Sequence, residues 1–250
     1  AWRNLKKVLV QSESSVVELE RWGMEAVALG DPRFDRVFEA EKNVRVSSDQ
    51  SLKEWVGNRI CLVVGSAWET ELRIAQAAWT YGKACIIVPH EWDSNWANRQ
   101  KEEWAKRGAK AIVWSEFRLA VVEDSKAIPE ADVILLDAMG HLMDAYGAGH
   151  LALVGGGFGK GVHNTLEPAA HGLAIWTGPK VGRFAEVKAL QDRSALESMI
   201  NEDACAASIN AAWEDPQRIQ EMGLAARTYA LQNAGAGARI ASELMGLIEL

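Results

Sequence analysis

Eight short apolar runs recur along this chain, and longer amphipathic stretches separate most of them. Apolar runs of this length are typical of strands that are buried on both faces of a parallel sheet. The amphipathic stretches are typical of the helices that cover those faces. The pattern therefore predicts the α/β class, with a doubly wound, Rossmann-like parallel sheet. The predicted strands are residues 8–11, 26–29, 60–64, 85–88, 111–114, 133–136, 151–154 and 174–177.

Helical patterns lie between these strands and become continuous after about residue 194. In that last part Asp215 is a predicted N-cap, because Pro216 follows it at a position where a helix tolerates proline. The other predicted helices are residues 70–81, 95–107, 140–146 and 240–248.

The polar segment 43–58 is predicted to bridge two units. Residues 1–42 contain only a strand, a helix and a strand, which is too little for a domain. We therefore expect residues 1–42 to be the end of one α/β domain and residues 43–250 to form a complete second one.

Composition excludes several classes of protein. The formal net charge is −7, which makes a nucleic-acid partner unexpected, because phosphate binding needs a basic surface. No apolar run approaches the roughly 18–20 residues that span a bilayer, and no secretory signal is recognised. The three cysteines have neither disulfide nor metal-ligand spacing, which favours a reducing, cytosolic setting.

Polar and glycine residues follow five consecutive predicted strands. In an open parallel sheet, ligands bind beyond the carboxyl ends of the strands, so this clustering predicts one site. The five segments are residues 65–69, 89–91, 137–141, 155–168 and 178–180.

The glycine-rich segment 155–161 matches neither familiar nucleotide motif. A Walker A loop ending at Lys160 would need glycine at 154 and Ser or Thr at 161, where the chain has Val154 and Gly161. The dinucleotide fingerprint also fails in both registers. What remains is a flexible loop that leads into a helix N-terminus, which favours a phosphate or carboxylate.

Asn164 and Glu167 allow two interpretations. Asn-x-x-Glu ahead of an apolar helix resembles a capping box, in which Asn164 caps the helix and Glu167 reaches back to the backbone. Alternatively, Glu167 accepts hydrogen bonds from the vicinal hydroxyls of a sugar while the helix N-terminus holds a phosphate.

Metal and serine-hydrolase chemistry are not expected. His90, His141 and His163 all lie at strand ends, but no carboxylate or His-x-x-x-His spacing supports a metal site. Ser66 lacks the G-x-S-x-G elbow that exposes a catalytic serine.

Arg33 also has two interpretations. It lies in the segment G-D-P-R-F-D at residues 30–35, which predicts either a tight turn with an Arg–Asp ion pair or a fixed cation at the seam between two units. Such a cation would stabilise a leaving phosphate.

The ordered motifs resemble a known family. They are G-D-P-R-F-D, G-S-x-W, P-H-E, D-x-M-G, G-G-x(n)-G-x-H-N-x-L-E-P-A-A and G-P. This order, over essentially the whole chain, is similar to the Kdo transferases, which attach 3-deoxy-D-manno-octulosonic acid (Kdo) from CMP-Kdo to the lipid A precursor in Gram-negative bacteria. The most specific block is H-N-x-L-E-P-A-A at residues 163–170.

The resemblance implies a GT-B glycosyltransferase, with two Rossmann-like domains and with CMP-Kdo held by the C-terminal one. It implies that Arg33 stabilises the transition state and that no metal or other cofactor is needed. It also implies which residues bind the donor CMP. These are Ser66, His90, Glu91, Met139, Gly140, His141, Gly156, His163, Asn164, Thr165, Leu166 and Glu167.

The family's N-terminal domain carries the acceptor site, a membrane-associating segment and the catalytic carboxylate. Because the chain begins near that domain's end, we expect residues 1–42 to be its remnant and the chain alone to bind CMP-Kdo without completing transfer. The resemblance also implies a cytoplasmic protein that is peripheral to the inner membrane.

Three residues depart from the family pattern, namely Gly157, Val162 and His141. Val162 replaces a glycine beside the loop and is expected to weaken donor binding if that position needs glycine's freedom. His141 replaces an acidic residue. These departures leave two alternatives open: a GT-B transferase that uses another sugar nucleotide, and a donor-binding or degenerate nucleotide-binding module that acts with a partner chain.

Overall fold

The structure is a computed structural model that describes residues 5–47, 50–123, 128–182 and 184–248. Residues 1–4 of the predicted unit 1–42 lie outside this description. So do residues 48–49, 124–127, 183 and 249–250 of the predicted domain 43–250.

Strands and helices alternate along most of the chain. The strands are Val8–Val10 (β1), Ala26–Ala28 (β2), Cys61–Ala67 (β3), Ala84–Pro89 (β4), Ala111–Val113 (β5), Val133–Leu135 (β6), Leu151–Val154 (β7), Ala174–Thr177 (β8) and Leu196–Ser198 (β9). The helices are Glu13–Glu20 (α1), Arg33–Ser47 (α2), Ser51–Val56 (α3), Glu69–Ala78 (α4), Trp96–Lys106 (α5), Trp114–Glu123 (α6), Leu142–Ala148 (α7), Leu166–His171 (α8), Ala185–Asp192 (α9), Glu202–Trp213 (α10), Pro216–Asn233 (α11) and Ala236–Ile248 (α12).

The main sheet has seven strands in the order β5-β6-β4-β3-β7-β8-β9, and every pairing is parallel. The chain starts at β3 in the middle, builds towards β5 on one side, and then returns to build β7, β8 and β9 on the other. The strand order therefore reverses between β3 and β7. In a doubly wound sheet such a reversal opens a crevice at the carboxyl ends of the two strands.

Apolar side chains cover both faces of the sheet. Alternate residues of each strand point to opposite faces, so β3 gives Val63 to one core and Leu62 and Val64 to the other. The first core is closed by helices such as α7 and α8, and the second by α4 and α10. The prediction of a doubly wound α/β sheet is confirmed.

All eight predicted strands are present, with ends that shift by up to three residues. The strand β9 was not predicted, because Leu196–Ser198 holds one apolar residue and pairs only at the edge of the sheet. Helix α6 was also missed. It begins at Trp114, directly after β5, so no polar loop marks its start.

The strand, helix and strand predicted within residues 1–42 are confirmed as β1, α1 and β2, which form a separate two-stranded parallel sheet. Two helices were not predicted. Helix α2 crosses residues 42 and 43, and α3 buries Leu52, Trp55 and Val56 within the predicted bridging segment. The division of the chain into residues 1–42 and 43–250 stays a prediction.

The predicted cap of α11 is confirmed. The Asp215 carboxylate accepts a hydrogen bond from the Arg218 N–H at 2.9 Å, and Pro216 occupies the first helical position. The last helix starts at Ala236, four residues earlier than predicted. Among the described helices, none is both long enough and apolar enough to cross a membrane.

Two loops meet closely at the strand reversal, and a prediction follows for Gly155. A Cβ atom built on Gly155 would overlap the Ser66 carbonyl, a backbone group that cannot rotate away. We expect Gly155→Ala to lower the free energy of unfolding by about 3 kcal/mol, because overpacking a rigid site typically costs that much. Urea denaturation measures this change.

Gly159→Ala, in the same loop, is the matched control. Its added Cβ would lie 3.6 Å from the nearest atom, which is ordinary contact. An equal loss in both variants would contradict the close packing that we infer at Gly155.

Candidate functional site

The carboxyl ends of β3, β4 and β7 surround a cavity of about 390 Å³ at the strand reversal. Four residues predicted to bind a donor nucleotide lie in its wall, namely His90, Glu91, Gly156 and His163. The other lining residues are Trp68, Thr70, Glu71, Gly159, Lys160 and Gly161.

Glu71 joins the two sides of this cavity. The residue is 1% exposed, and its carboxylate accepts the N–H of Gly156 at 3.0 Å and the N–H of Trp68 at 3.1 Å. Burial raises the pKa of Glu71, and these backbone hydrogen bonds oppose the rise. One carboxylate therefore connects the turn between β3 and α4 to the loop that follows β7.

Sequence reasoning assigned Glu71 no role. The signal was a carboxylate on the apolar face of the predicted helix 70–81, four residues before Ala75 and seven before Ala78. A charge in such a position is rarely buried unless it has partners.

Three aromatic rings stack at the mouth of the cavity. The Trp68 and His90 rings lie 4.4 Å apart, and the His90 and His163 rings 4.5 Å apart. The Trp68 indole Nε1 also donates to His163 Nε2 at 3.1 Å. Burial, followed by the neighbouring His90, lowers the pKa of His163.

The glycine-rich loop folds back on itself and does not present a row of free amides. Six backbone N–H groups in residues 155–163 have a described acceptor. Five donate to backbone carbonyls of this loop or of neighbouring segments, and one donates to the Glu71 carboxylate. The predicted phosphate or carboxylate contact was to the helix N-terminus that follows this loop, and it stays a prediction. The occupied N–H groups are those of Gly155, Gly156, Gly159, Gly161, Val162 and His163.

Helix α8 begins differently from the predicted capping box. The Asn164 side-chain oxygen accepts the Leu166 N–H at 3.0 Å, only two residues along the chain. Glu167 accepts from the Asn164 side-chain amide at 2.9 Å and not from the backbone. The box is therefore replaced by a local turn at Asn164. The Leu166 side chain is buried, and its N–H is already occupied.

Thr165 is the N-cap residue of α8 but does not cap it through its side chain. Its hydroxyl is buried and has no hydrogen-bond partner among the described residues. A buried hydroxyl without a partner is costly, so this group is an exception among the buried polar atoms of the described residues.

Glu167 lies on the other side of the strand reversal, between α7 and α2. Burial raises its pKa, while the Asn164 amide and the positive charge of Arg36 oppose the rise. Burial raises the pKa of Tyr146, and the negative charge of Glu167 adds to the rise; the Tyr146 hydroxyl packs against Gly65 in β3. Asn164, Thr165, Leu166 and Glu167 thus lie outside the described wall of the 390 Å³ cavity.

Arg33 is held by two carboxylates. Its guanidinium lies 2.6 Å from Asp31 and 2.8 Å from Glu186, which is in the first turn of α9. The predicted Arg–Asp ion pair is confirmed, although Arg33 starts a helix and does not lie in a tight turn. Hydrogen bonding to Asp31 is the main cause of its raised pKa. Arg33 lies outside the described wall of the cavity, and its predicted catalytic role stays a prediction.

Ser66 lies in an irregularity of β3 and has a φ of +53°, which is unusual for a residue with a side chain. It lies outside the described cavity wall. Among the described residues, only Ser194 shares this backbone conformation without being glycine. Val162 is not among the residues with a positive φ and packs in the core, so its own backbone is unstrained; its effect on donor binding stays a prediction.

Gly157, the second departure from the family pattern, has a packing reason. A Cβ atom there would overlap the hydroxyl of Thr177, a buried residue that donates to the Val154 carbonyl at 3.0 Å. A residue larger than glycine therefore does not fit beside Thr177.

Met139, Gly140 and His141 form a separate group after β6. Met139 is 80% exposed, and Gly140 has a φ of +89°. The His141 ring lies 5.5 Å from the Trp114 ring and 3.0 Å from the Asp144 carboxylate. These three residues lie outside the described wall of the cavity.

Within the described ranges, no three His, Cys, Asp or Glu side chains are arranged to hold a metal ion. Whether the protein's chemistry needs a metal stays a prediction from sequence.

The position of Glu71 generates a prediction for stability. Glu71→Ala leaves the N–H groups of Gly156 and Trp68 without their acceptor, so we expect a loss of about 2–4 kcal/mol in the free energy of unfolding. Glu69→Ala, in the same turn of α4 but exposed, is the control and should change little. Urea denaturation measures both variants.

The pH dependence of this loss has a definite sign. The pKa of Glu71 in the folded protein is raised above its ordinary value of 4.5. The stabilisation that Glu71 gives to the folded protein is therefore fully present below pH 4.5, and it is lost as the pH rises through the raised pKa. The difference between wild type and Glu71→Ala should therefore be larger near pH 4 than near pH 7. A difference that grows with pH would contradict this.

Sequence comparison finds Kdo transferases among the relatives of this chain. The chain is 32% identical over 120 residues to the 3-deoxy-D-manno-octulosonic acid transferase of Haemophilus influenzae, a match that covers 47% of this chain and 28% of that protein. This chain therefore matches less than a third of that relative's length. No protein-family model matches the chain.

Structural comparison agrees on the fold. The C-terminal CMP-Kdo binding domain of WaaA from Acinetobacter baumannii has a TM-score of 0.60 and 21% identity, over 78% of this chain and 99% of that one. Anabaena HepE in complex with UDP and glucose has a TM-score of 0.51 and 14% identity, over 100% of this chain and 65% of that one. The chain is therefore similar in sequence to Kdo transferases and has a GT-B glycosyltransferase fold, similar in structure to the C-terminal CMP-Kdo binding domain of WaaA.

Proposed function

We propose that this chain is the donor-binding part of a Kdo transferase and that it binds CMP-Kdo through the nucleotide. The observation that carries the proposal is the position of the H-N-x-L-E-P-A-A block. It starts at His163 in the cavity wall and ends in α8, beside the strand reversal where doubly wound sheets bind nucleotides. The similarity to Kdo transferases and to a CMP-Kdo binding domain supports CMP as the nucleotide.

In this proposal the CMP moiety spans the strand reversal. Glu167 accepts hydrogen bonds from the ribose hydroxyls, and the hydroxyl of Thr165 supplies a further polar contact. The phosphate lies towards His163 and Lys160, which line the cavity. The exposed group at Met139, Gly140 and His141 contacts the cytosine.

The transfer step breaks the bond between Kdo and the phosphate of CMP. An acceptor hydroxyl forms the new bond to the anomeric carbon and gives up its proton to a general base. CMP leaves with an additional negative charge, which a nearby cation stabilises. Arg33 is the proposed cation. It would act while it stays paired to Asp31 and Glu186, which hold the guanidinium in place but also offset its charge. We assign no general base among the described residues.

The same proposal extends to the setting of the reaction. The acceptor is the lipid A precursor, bound by a further part of the enzyme, and the reaction belongs to lipopolysaccharide synthesis at the cytoplasmic face of the inner membrane. Support for these points comes from the relatives' family alone.

Calorimetric titration of the purified chain with CMP tests the proposal. We expect CMP to bind more tightly than UMP or UDP. Glu167→Gln should weaken CMP binding by about tenfold, because a neutral amide is a poorer partner for the ribose hydroxyls than a carboxylate. The amide oxygen of glutamine can still accept from Asn164, so the local turn should survive.

Glu221→Gln is the matched control. Glu221 is exposed on α11 and accepts a hydrogen bond from Gln217. It should leave CMP binding unchanged. Tighter binding of UDP or UDP-glucose than of CMP would replace the proposal with a transferase for another sugar nucleotide. Binding that appears only with a co-purified chain would favour a module that acts with a partner.

A further inference from the structure

The hydrogen bond between Trp68 and His163 fixes where the proton of the imidazole lies. The indole Nε1 is 3.1 Å from His163 Nε2, and an indole nitrogen can only donate. His163 Nε2 must therefore be an acceptor and carry no proton. In a neutral imidazole the other nitrogen then carries it, so the proton lies on Nδ1.

The orientation of the ring separates its two nitrogens. The edge formed by Cδ2 and Nε2 faces Gly156, because a Cβ atom built there would lie 2.9 Å from Cδ2 and 3.0 Å from Nε2. Nδ1 lies on the other side of the ring, away from Gly156. It has no hydrogen-bond partner within the part of the chain that the structure describes, and His163 lines the 390 Å³ cavity.

Two contacts hold the indole in place for this role. The backbone N–H of Trp68 donates to the buried Glu71 carboxylate at 3.1 Å, and the Trp68 ring lies against the His90 ring. His90 also stacks on His163, with an angle of 26° between the rings. The backbone of Trp68 is therefore held by Glu71, and its ring is held by His90, which also stacks on the hydrogen-bond acceptor His163.

The surroundings of His163 also favour a neutral ring. Burial and the adjacent His90 lower the pKa of His163. The other titratable groups in the cavity wall are Glu71 and Glu91, which favour a charged ring, and Lys160, which disfavours it. Protonation of Nε2 would break the bond from Trp68, which adds to the preference for the neutral form.

We propose that Trp68 is a positioning residue that holds His163 as a neutral hydrogen-bond donor, with its Nδ1–H directed to an oxygen atom of the bound ligand. The state of the ring follows from the free protein alone. That the ligand oxygen belongs to the phosphate of CMP rests on the proposed function. In that complex His163 binds the phosphate by a hydrogen bond and not by a charge, so its contribution does not need acidic pH.

Nitrogen NMR of histidine-labelled protein tests the state of the ring directly. The resonances of His163 are identified by their loss in His163→Gln. At pH 7.5 we expect Nδ1 to be protonated and Nε2 to be bare, and we expect the pKa of His163 to lie below 6.5. A His163 ring that is protonated on Nε2 in the wild type would overturn the proposal.

Trp68→Phe keeps an aromatic ring beside His90 but removes the indole donor. We expect the proton of His163 to redistribute towards Nε2, and its pKa to rise. Trp22→Phe, at an exposed tryptophan outside the cavity wall, should leave both unchanged. An unchanged His163 spectrum in a folded Trp68→Phe variant would overturn the proposal, and the wild-type spectrum decides the matter if that variant does not fold.

CMP titration tests the second part of the proposal, namely that the Nδ1–H of His163 binds an oxygen atom of the ligand. Trp68→Phe should weaken CMP binding by about fivefold at pH 7.5, the effect expected for one misdirected hydrogen bond, while Trp22→Phe should not. Equal CMP affinity in wild type and Trp68→Phe would overturn the role assigned to the ligand oxygen. If the wild type binds no CMP, the proposed function fails, whereas the NMR result still decides the state of the ring.

Discussion

The cleft depends on one buried carboxylate. Strand reversal between β3 and β7 leaves two loops side by side, and parallel pairing of the strands does not by itself fix how those loops meet. Glu71 fixes them, because it accepts one N–H from each side. The same contact places Trp68, and Trp68 in turn orients His163. The Glu71 carboxylate, which costs free energy to bury, thus determines through Trp68 the orientation of His163.

Hydrogen bonds within the protein occupy several backbone N–H groups of the glycine-rich loop, so these groups are not free to bind a ligand. A glycine-rich loop at the end of a strand commonly offers N–H groups to phosphate. In this loop Gly156 donates to Glu71, and Gly161 donates to the Gly156 carbonyl. Side chains such as those of His163 and Lys160 can therefore contribute much of the contact to ligand oxygens. Since Glu71 and Glu91 lie in the same wall, neutral donors suit this cavity as much as cations do.

The sequence predicted the strands well, because each is an apolar run that the two helix layers bury. It did not predict β9, where edge pairing makes a strand of Leu196–Ser198 with little apolar content. The family motif marked His90 and His163, and the structure stacks their rings on each other; their role in donor binding stays a prediction. Glu71 was missed, although its bond to the Trp68 N–H has the local spacing of a helix cap; its second partner, the Gly156 N–H, is 85 residues away, and no local pattern records that contact.

The departures from the family pattern are better explained by packing than by loss of the site. Gly157 makes room for the Thr177 hydroxyl, and Val162 fills the core with an unstrained backbone. His141 pairs with Asp144, which lies next to it across one turn. None of these three residues lies in the described wall of the cavity. The substitutions therefore leave intact the contacts among Glu71, Trp68 and His163, on which the shape of the cleft depends.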